Sequence, residues 1–238
     1  MDCSLTVALG GEYARLRMAG AEQSGGGCRG PICGFSRASR RRLLDLVNQV
    51  DRRCITSMLF VTLTYPSEFP ESWQVWKAHL KAMIMRLRRR YPGIKLLWRL
   101  EFQQRGAPHF HILVLNVERI DISWLSRAWF EVVGSGDAKH LLAGTQVARV
   151  RSWRGVLFYV GKYLAKKDEV GFPTGRVWGV IGGLPVTLVV VPLGGREFYQ
   201  IRRVLRRWLG KRLGRRVWWS KDRGSGIKVY LDNLTVFA

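Results

Sequence analysis

The sequence predicts an α+β fold: a central antiparallel sheet with helices packed on one face, followed by a basic C-terminal extension. Three observations carry this. Apolar periodicity switches between two and 3.6 residues in the order strand, helix, strand, strand, helix, strand, helix from residue 58. Residues 95–115 read as a β-hairpin, which makes the sheet antiparallel. Hydrophobic residues make up 47% of the 238, enough for a packed core.

Residues 1–35 read as a loosely structured segment, because Gly10-Gly11 and Gly25-Gly26-Gly27 flank a short mixed stretch. Structure is expected from Ser36, where Leu43, Val47, Val50 and Cys54 recur at helical spacing behind Arg40-Arg41-Arg42. Met58 to Tyr65 (M-L-F-V-T-L-T-Y) is rich in β-branched and aromatic residues and predicts a buried strand. Trp76, Leu80, Met83, Ile84 and Leu87 form one helical stripe. Arg86, Arg88, Arg89 and Arg90 lie at that helix's C-terminal end, where its dipole favours cations.

From Lys95 to Gln103 the chain alternates, with Leu97, Arg99, Glu101 and Gln103 on one face. Arg105-Gly106-Ala107-Pro108 turns it into a second strand, His109 to Leu115. Asp121 is placed to cap a helix through Val133. Thr145 to Val150 reads as a strand and residues 153–167 as a helix. The tail from about 171 holds an apolar strand, Val186 to Val191, and a basic helix. That helix is expected to turn Ile201, Val204, Leu205, Trp208 and Leu209 inward and Arg202, Arg203, Arg206 and Arg207 outward. Residues 227–237 alternate weakly. The expected organisation is thus 1–35, a domain over 36–180, and 181–238 as a basic extension of that domain.

Forty Lys and Arg stand against 17 Asp and Glu, a net charge of +23. A surplus of that size repels itself unless a polyanion is near, which points to nucleic acid. The longest apolar run, around Leu184 to Leu193, holds Pro185 and Pro192 and is too short to span a bilayer. Met1-Asp2-Cys3-Ser4 lacks a basic segment, so no secretory signal and no membrane partner are expected. Cys3, Cys28, Cys33 and Cys54 all lie in the first quarter and fit free thiols in a reducing cytoplasm. Cys28 and Cys33 have zinc-compatible spacing, but no second pair follows.

Two constellations could carry chemistry. In His109-Phe110-His111 the imidazoles lie two residues apart on a strand and share a face. Glu101 or Gln103 on the neighbouring strand could add an oxygen ligand. Two nitrogens, one oxygen and open positions suit a divalent ion held for catalysis. The second is Tyr159-Val160-Gly161-Lys162-Tyr163-Leu164-Ala165-Lys166-Lys167. Tyr159 and Tyr163 share a helix face, and Lys162 and Lys166 each follow a tyrosine by three residues. A phenol, with a pKa of about 10, needs a neighbouring cation or a polarised phosphate to attack at neutral pH. Taken singly, each motif also fits an ordinary surface. Among the ten tryptophans, Trp218-Trp219 beside Arg215-Arg216 is the pair best suited to stacking on unpaired bases.

Together the motifs resemble, in order and type, the HUH superfamily of DNA-nicking enzymes, closest to the replication initiators of single-stranded DNA phages and small plasmids. F-V-T-L-T-Y-P (60–66), E-F-Q-Q-R-G-A-P-H-F-H-I-L-V (101–114) and Y-V-G-K-Y-L-A-K-K (159–167) carry the likeness, which covers roughly residues 36–180. It implies a palm-like sheet and a Mg²⁺ or Mn²⁺ ion held by His109, His111 and Glu101. It also implies a tyrosine that attacks DNA to leave a 5′-phosphotyrosine and a free 3′-OH. Tyr163, the position common to the one- and two-tyrosine patterns, would cut first. Tyr159 would serve the second transfer and Lys162 would steady the phosphate. Apart from the resemblance, the charge of +23 leads us to expect that at least one of the arginine runs at 40–42, 86–90 and 202–207 meets DNA phosphates, with Lys166, Arg202, Arg203, Arg206 and Arg207 singled out for that role. The implied substrate is single-stranded DNA or an origin stem-loop in a bacterial host's cytoplasm. No G-x-x-x-x-G-K-[ST] occurs, so the helicase would come from the host. A non-catalytic, sheet-based nucleic-acid-binding protein is the rival from another class, and a transposase or relaxase the rival of like chemistry.

Overall fold

A computed structural model describes residues 3–18, 30–165, 171–214 and 227–230. In chain order the elements are β1 (Cys3–Ala8), β2 (Tyr13–Met18), α1 (Arg37–Gln49), a 3-10 turn (Arg52–Cys54), β3 (Met58–Thr64), α2 (Trp73–Arg90), β4 (Lys95–Phe102) and β5 (Pro108–Leu115). They continue with α3 (Ile122–Val133), α4 (Ala138–Ala143), β6 (Thr145–Arg149), α5 (Trp153–Ala165), β7 (Trp178–Ile181), β8 (Leu188–Leu193), α6 (Gly195–Leu213) and β9 (Ile227–Tyr230). Among the described residues these strands pair antiparallel, in one sheet ordered β6-β3-β5-β4-β7 and another ordered β8-β1-β2-β9. The class is α+β, as the periodicity predicts. The chain divides into two compact units, one from residues 29–41 and 53–184, the other from 1–28, 42–52 and 185–238.

In the larger unit, alternation sends Leu59, Val61 and Leu63 of β3, Leu96, Trp98 and Leu100 of β4, and Phe110, Ile112 and Val114 of β5 to one face. The α2 stripe of Trp76, Leu80, Met83, Ile84 and Leu87 packs there, with Leu125, Ala128 and Trp129 of α3. Leu63 is fully buried in this layer; truncating such a leucine to alanine costs about 2–5 kcal/mol. The Asp121 side chain accepts from the Trp124 N–H at 3.1 Å and starts α3. Gly134, at φ 68°, ends it in the left-handed conformation that glycine adopts most readily. α5 meets the face opposite α2 and α3 through Tyr159, whose ring lies 4.4 Å from the Phe60 ring. β7 joins the far edge beside β4, an element absent from the sequence reading.

The smaller unit corrects two expectations. Residues 3–18 are not a loose segment: β1 and β2 pair from Cys3 opposite Met18 to Val7 opposite Ala14. The tail does not extend the 36–180 domain, because β8 pairs with β1 and β9 with β2 in this separate unit. β1 and β2 are short and turn at Gly10-Gly11, which in sequence resembles a loose stretch, while the tail strands β8 and β9 find their partners far away in the chain. On one face of this sheet Cys3 and Leu16 pack against Phe198 of α6, joined by Leu5, Met18, Leu193, Ile201 and Leu205. Glu12 pairs with Arg52, and Asp45 with Lys228. Gly11 permits a close approach, since a Cβ there would stand 2.6 Å from the Asn48 carbonyl oxygen.

On α6, Leu209 is buried and Arg203, Arg206 and Arg207 are exposed, as expected. Val204 is 63% exposed, not inward, and Arg202 is half-buried. The inward stripe is narrower than the periodicity implied, because it rests on a small sheet. Cys3, Cys33 and Cys54 are free thiols, while Cys28 and the Trp218-Trp219 pair lie outside the described residues. Among the described residues, no helix is long and apolar enough to cross a membrane.

Candidate active site

The sheet face beneath α5 is built of registered rows. Thr64 of β3, His109 of β5 and Glu101 of β4 stand side by side. The next row runs from Gln146 of β6 through Thr62 and His111 to Arg99. Beyond it the row is apolar: Ala148, Phe60, Leu113 and Leu97. Period-two alternation thus places the T-x-T of β3, the H-x-H of β5 and the R-x-E of β4 on one face.

The two imidazoles are 4.4 Å apart between ring centroids and nearly perpendicular. Each ring is held from the β3 side. The Thr64 hydroxyl lies 3.0 Å from His109 Nδ1, and the Thr62 hydroxyl 3.4 Å from His111 Nδ1. On the other side, His111 Nε2 lies 3.7 Å from Glu101 Oε2, with both side chains largely buried. Burial, reinforced by the Arg105 guanidinium, lowers the pKa of His109 and favours its neutral form. Arg99 is buried in the same row, with its guanidinium over the Phe35 ring at 4.0 Å and one amino group donating to the Val177 carbonyl at 3.3 Å.

The end of β3 is clamped. The Thr64 carbonyl accepts from Trp129 Nε1 at 2.7 Å and has His140 Nε2 at 2.8 Å, while its N–H donates to Gly144 O at 2.8 Å. Tyr65, the next residue, is buried in the opposite layer, with its hydroxyl 3.0 Å from His79 Nδ1. Burial pushes the Tyr65 phenol well above its ordinary pKa, so it is a poor candidate nucleophile.

Tyr159 differs. Its ring centroid lies 5.4 Å from that of His111, so α5 brings a phenol to the histidine face. Lys162 and Tyr163 follow on α5 within about one further turn, and Lys166 lies outside the described residues. Arg202, Arg203, Arg206 and Arg207 belong to α6 in the smaller unit.

The donor chemistry fits a divalent ion. Imidazoles offering Nε2 and an adjacent carboxylate make an open nitrogen–oxygen set, with the Nδ1 atoms already held by hydroxyls. Among the described residues, no three His, Cys, Asp or Glu side chains stand close enough together as placed to hold a metal ion. Of the two oxygen candidates, Glu101 lies in the row with His109. Gln103 lies in the turn, where its N–H donates to Ala107 O at 3.0 Å and its Oε1 accepts from Arg105 Nε at 3.0 Å. The sequence reading missed Thr62 and Thr64. Their signal was present: the T-x-T and H-x-H repeats share a period of two.

The chain is 29% identical over 199 residues to the replication-associated protein (gene 2 protein) of Pseudomonas phage Pf3, covering 76% of this chain and 70% of that protein. It is 28% identical over 201 residues to the "Putative replication protein PDa0002" of Xylella fastidiosa strain Temecula1, covering 76% and 75% respectively. No solved structure matches it. Residues 58–168, the stretch from β3 through α5 that carries the whole candidate site, match the family described as the replication-associated protein of the ORF2 and gene 2 protein type.

Proposed function

We propose that this chain is a replication initiator of the HUH type, which nicks one DNA strand at an origin and starts rolling-circle synthesis. The observation that carries the reading is the Tyr159 ring against His111, 5.4 Å between centroids, on a face that also holds His109 and Glu101. The similarity to replication proteins of a phage and of a bacterium supports it.

His109, His111 and Glu101 would hold Mg²⁺ or Mn²⁺, which when bound polarises the scissile phosphate. The rest falls to the chain. A tyrosine oxygen loses its proton and forms a bond to phosphorus. The bond from phosphorus to the 3′-oxygen breaks, and that oxygen takes up a proton and leaves as a free 3′-OH. The phosphate stays on tyrosine at the new 5′ end. Attack by a 3′-OH on this ester reverses the step and rejoins the strand. Tyr163 makes the first nick, Tyr159 the second transfer, and Lys162 steadies the phosphate. Lys166 binds phosphate of single-stranded DNA or an origin stem-loop, and the α6 arginines of the smaller unit bind DNA phosphates in their own right. A host helicase opens the duplex, in the cytoplasm of a bacterial host.

The test is a covalent adduct. The protein is incubated with Mn²⁺ and single-stranded DNA from its own replicon, boiled in detergent, and the adduct mapped by peptide. DNA should be found on Tyr163. Tyr163→Phe should lose the adduct on a single-site oligonucleotide. Tyr159→Phe should still form it but fail to release closed circles from a two-site substrate. DNA only on Tyr159 would reverse the two roles, and DNA on neither tyrosine would discard the mechanism.

A further inference from the structure

α5 buries Trp153, Val156 and Leu157, yet the next residue, Phe158, is 79% exposed. It precedes Tyr159, whose ring faces His111, so the exposed ring flanks the candidate site by a single residue. The chain leading into it is cationic. Arg149 at the end of β6, Arg151, and Arg154 on α5 are all exposed. Among the described residues, none of the three has a carboxylate partner. No acidic residue occurs between Asp137 and Asp168. Arg154 precedes Phe158 by four residues on α5 and so shares its helix face, and an exposed ring beside a cation complements unpaired nucleic acid, because bases stack on the ring while phosphates meet the guanidinium.

We propose that Phe158 is a platform on which an unpaired nucleobase of the substrate strand stacks next to the nicked position, with Arg149, Arg151 and Arg154 taking the adjoining phosphates. The inference rests on the reading of this face as a DNA-processing site, and it deepens that reading by naming a base-binding position. Stacking is tolerant of sequence, because every base has a π-face, so the platform grips the strand without choosing the nick sequence. Duplex DNA, whose bases are already stacked, gains nothing from it.

The test separates base from phosphate and binding from nicking. Fluorescence anisotropy is measured on the full chain in chelator, with three probes: oligothymidine of about 15 nucleotides, an abasic strand of equal length, and a duplex. Phe158→Ala should weaken oligothymidine binding about tenfold and leave abasic and duplex binding unchanged. Phe158→Trp should bind as the unaltered protein does, and Phe158→Leu should bind like the alanine variant. Unaltered oligothymidine affinity in Phe158→Ala, an equal loss on the abasic strand, or full binding by Phe158→Leu would each overturn the platform. A lowered melting temperature with unaltered affinity would assign Phe158 to packing instead. Because no metal is present, this pattern is independent of nicking. A missing covalent adduct with the pattern intact removes the nickase reading and leaves the platform standing.

Discussion

The Thr64 hydroxyl lies 3.0 Å from Nδ1 of His109, and the same residue's carbonyl is gripped by Trp129 and His140. A rigid strand end therefore sets the angle of an imidazole on the candidate site. Thr64→Val keeps the β-branched shape and removes the hydroxyl. It should lower Mn²⁺ affinity by about 10–100-fold, with Thr64→Ser restoring it, as read by calorimetric titration. Equal affinity in the valine variant would deny Thr64 a positioning role.

His109→Ala and His111→Ala should each abolish nicking while single-stranded DNA binding stays within a few-fold, since phosphate contacts supply most of the affinity. Glu101→Ala should weaken Mn²⁺ binding more than Gln103→Ala, because Gln103 is engaged in the turn with Arg105 and Ala107. Electron paramagnetic resonance of free Mn²⁺ measures both. Nicking that persists in chelator would refute the metal assignment, and the reverse order of the two variants would move the third ligand.

Affinity for single-stranded DNA should fall steeply with salt. Replacing Arg202, Arg203, Arg206 and Arg207 together by glutamine should make the slope of log K against log salt shallower by roughly 2 to 3. Arg202 should contribute least, being half-buried where the others are exposed. An unaltered slope would show that α6 does not meet phosphates.

Lys77 of α2 packs its ammonium 4.8 Å from the Trp98 ring centroid. Burial, aided by the nearby Arg99 charge, lowers its pKa to about 7. In the unfolded chain the same group titrates at about 10.4. Between these values the unfolded chain binds more protons, so stability rises with pH, and this contribution is lost as pH falls towards 7. The thermal stability of the protein relative to Lys77→Met should therefore climb from about pH 7.5 to about pH 9.5. A flat difference across that range, measured by calorimetry, would mean that Lys77 keeps its proton in the folded state.

Much of the larger unit was legible before any tertiary structure. The α2 stripe, the Asp121 cap and the 95–115 hairpin follow from periods of 3.6 and two, and these are properties of a single element and its near neighbours. The pairing of His109 with His111 on one face follows from the same alternation. What lay beyond local pattern was the meeting of distant segments. Thr62 and Thr64 reach the histidines only because β3 pairs with β5, some 45 to 49 residues on. Glu101 and Gln103 alternate onto one face in sequence, and only the turn at Arg105 separates them. α5 carries its tyrosine motif openly, but its side of the sheet depends on which face α2 and α3 had already covered. β1 and β2 went unread because each is short and their hairpin gains its flanking strands, β8 and β9, only from the other end of the chain. Sequence thus determined the elements and the chemistry each one carries, through local side-chain periodicity. Tertiary structure decided which of those chemistries meet, because strand register and helix docking are set by burial and hydrogen bonding between segments far apart in the chain.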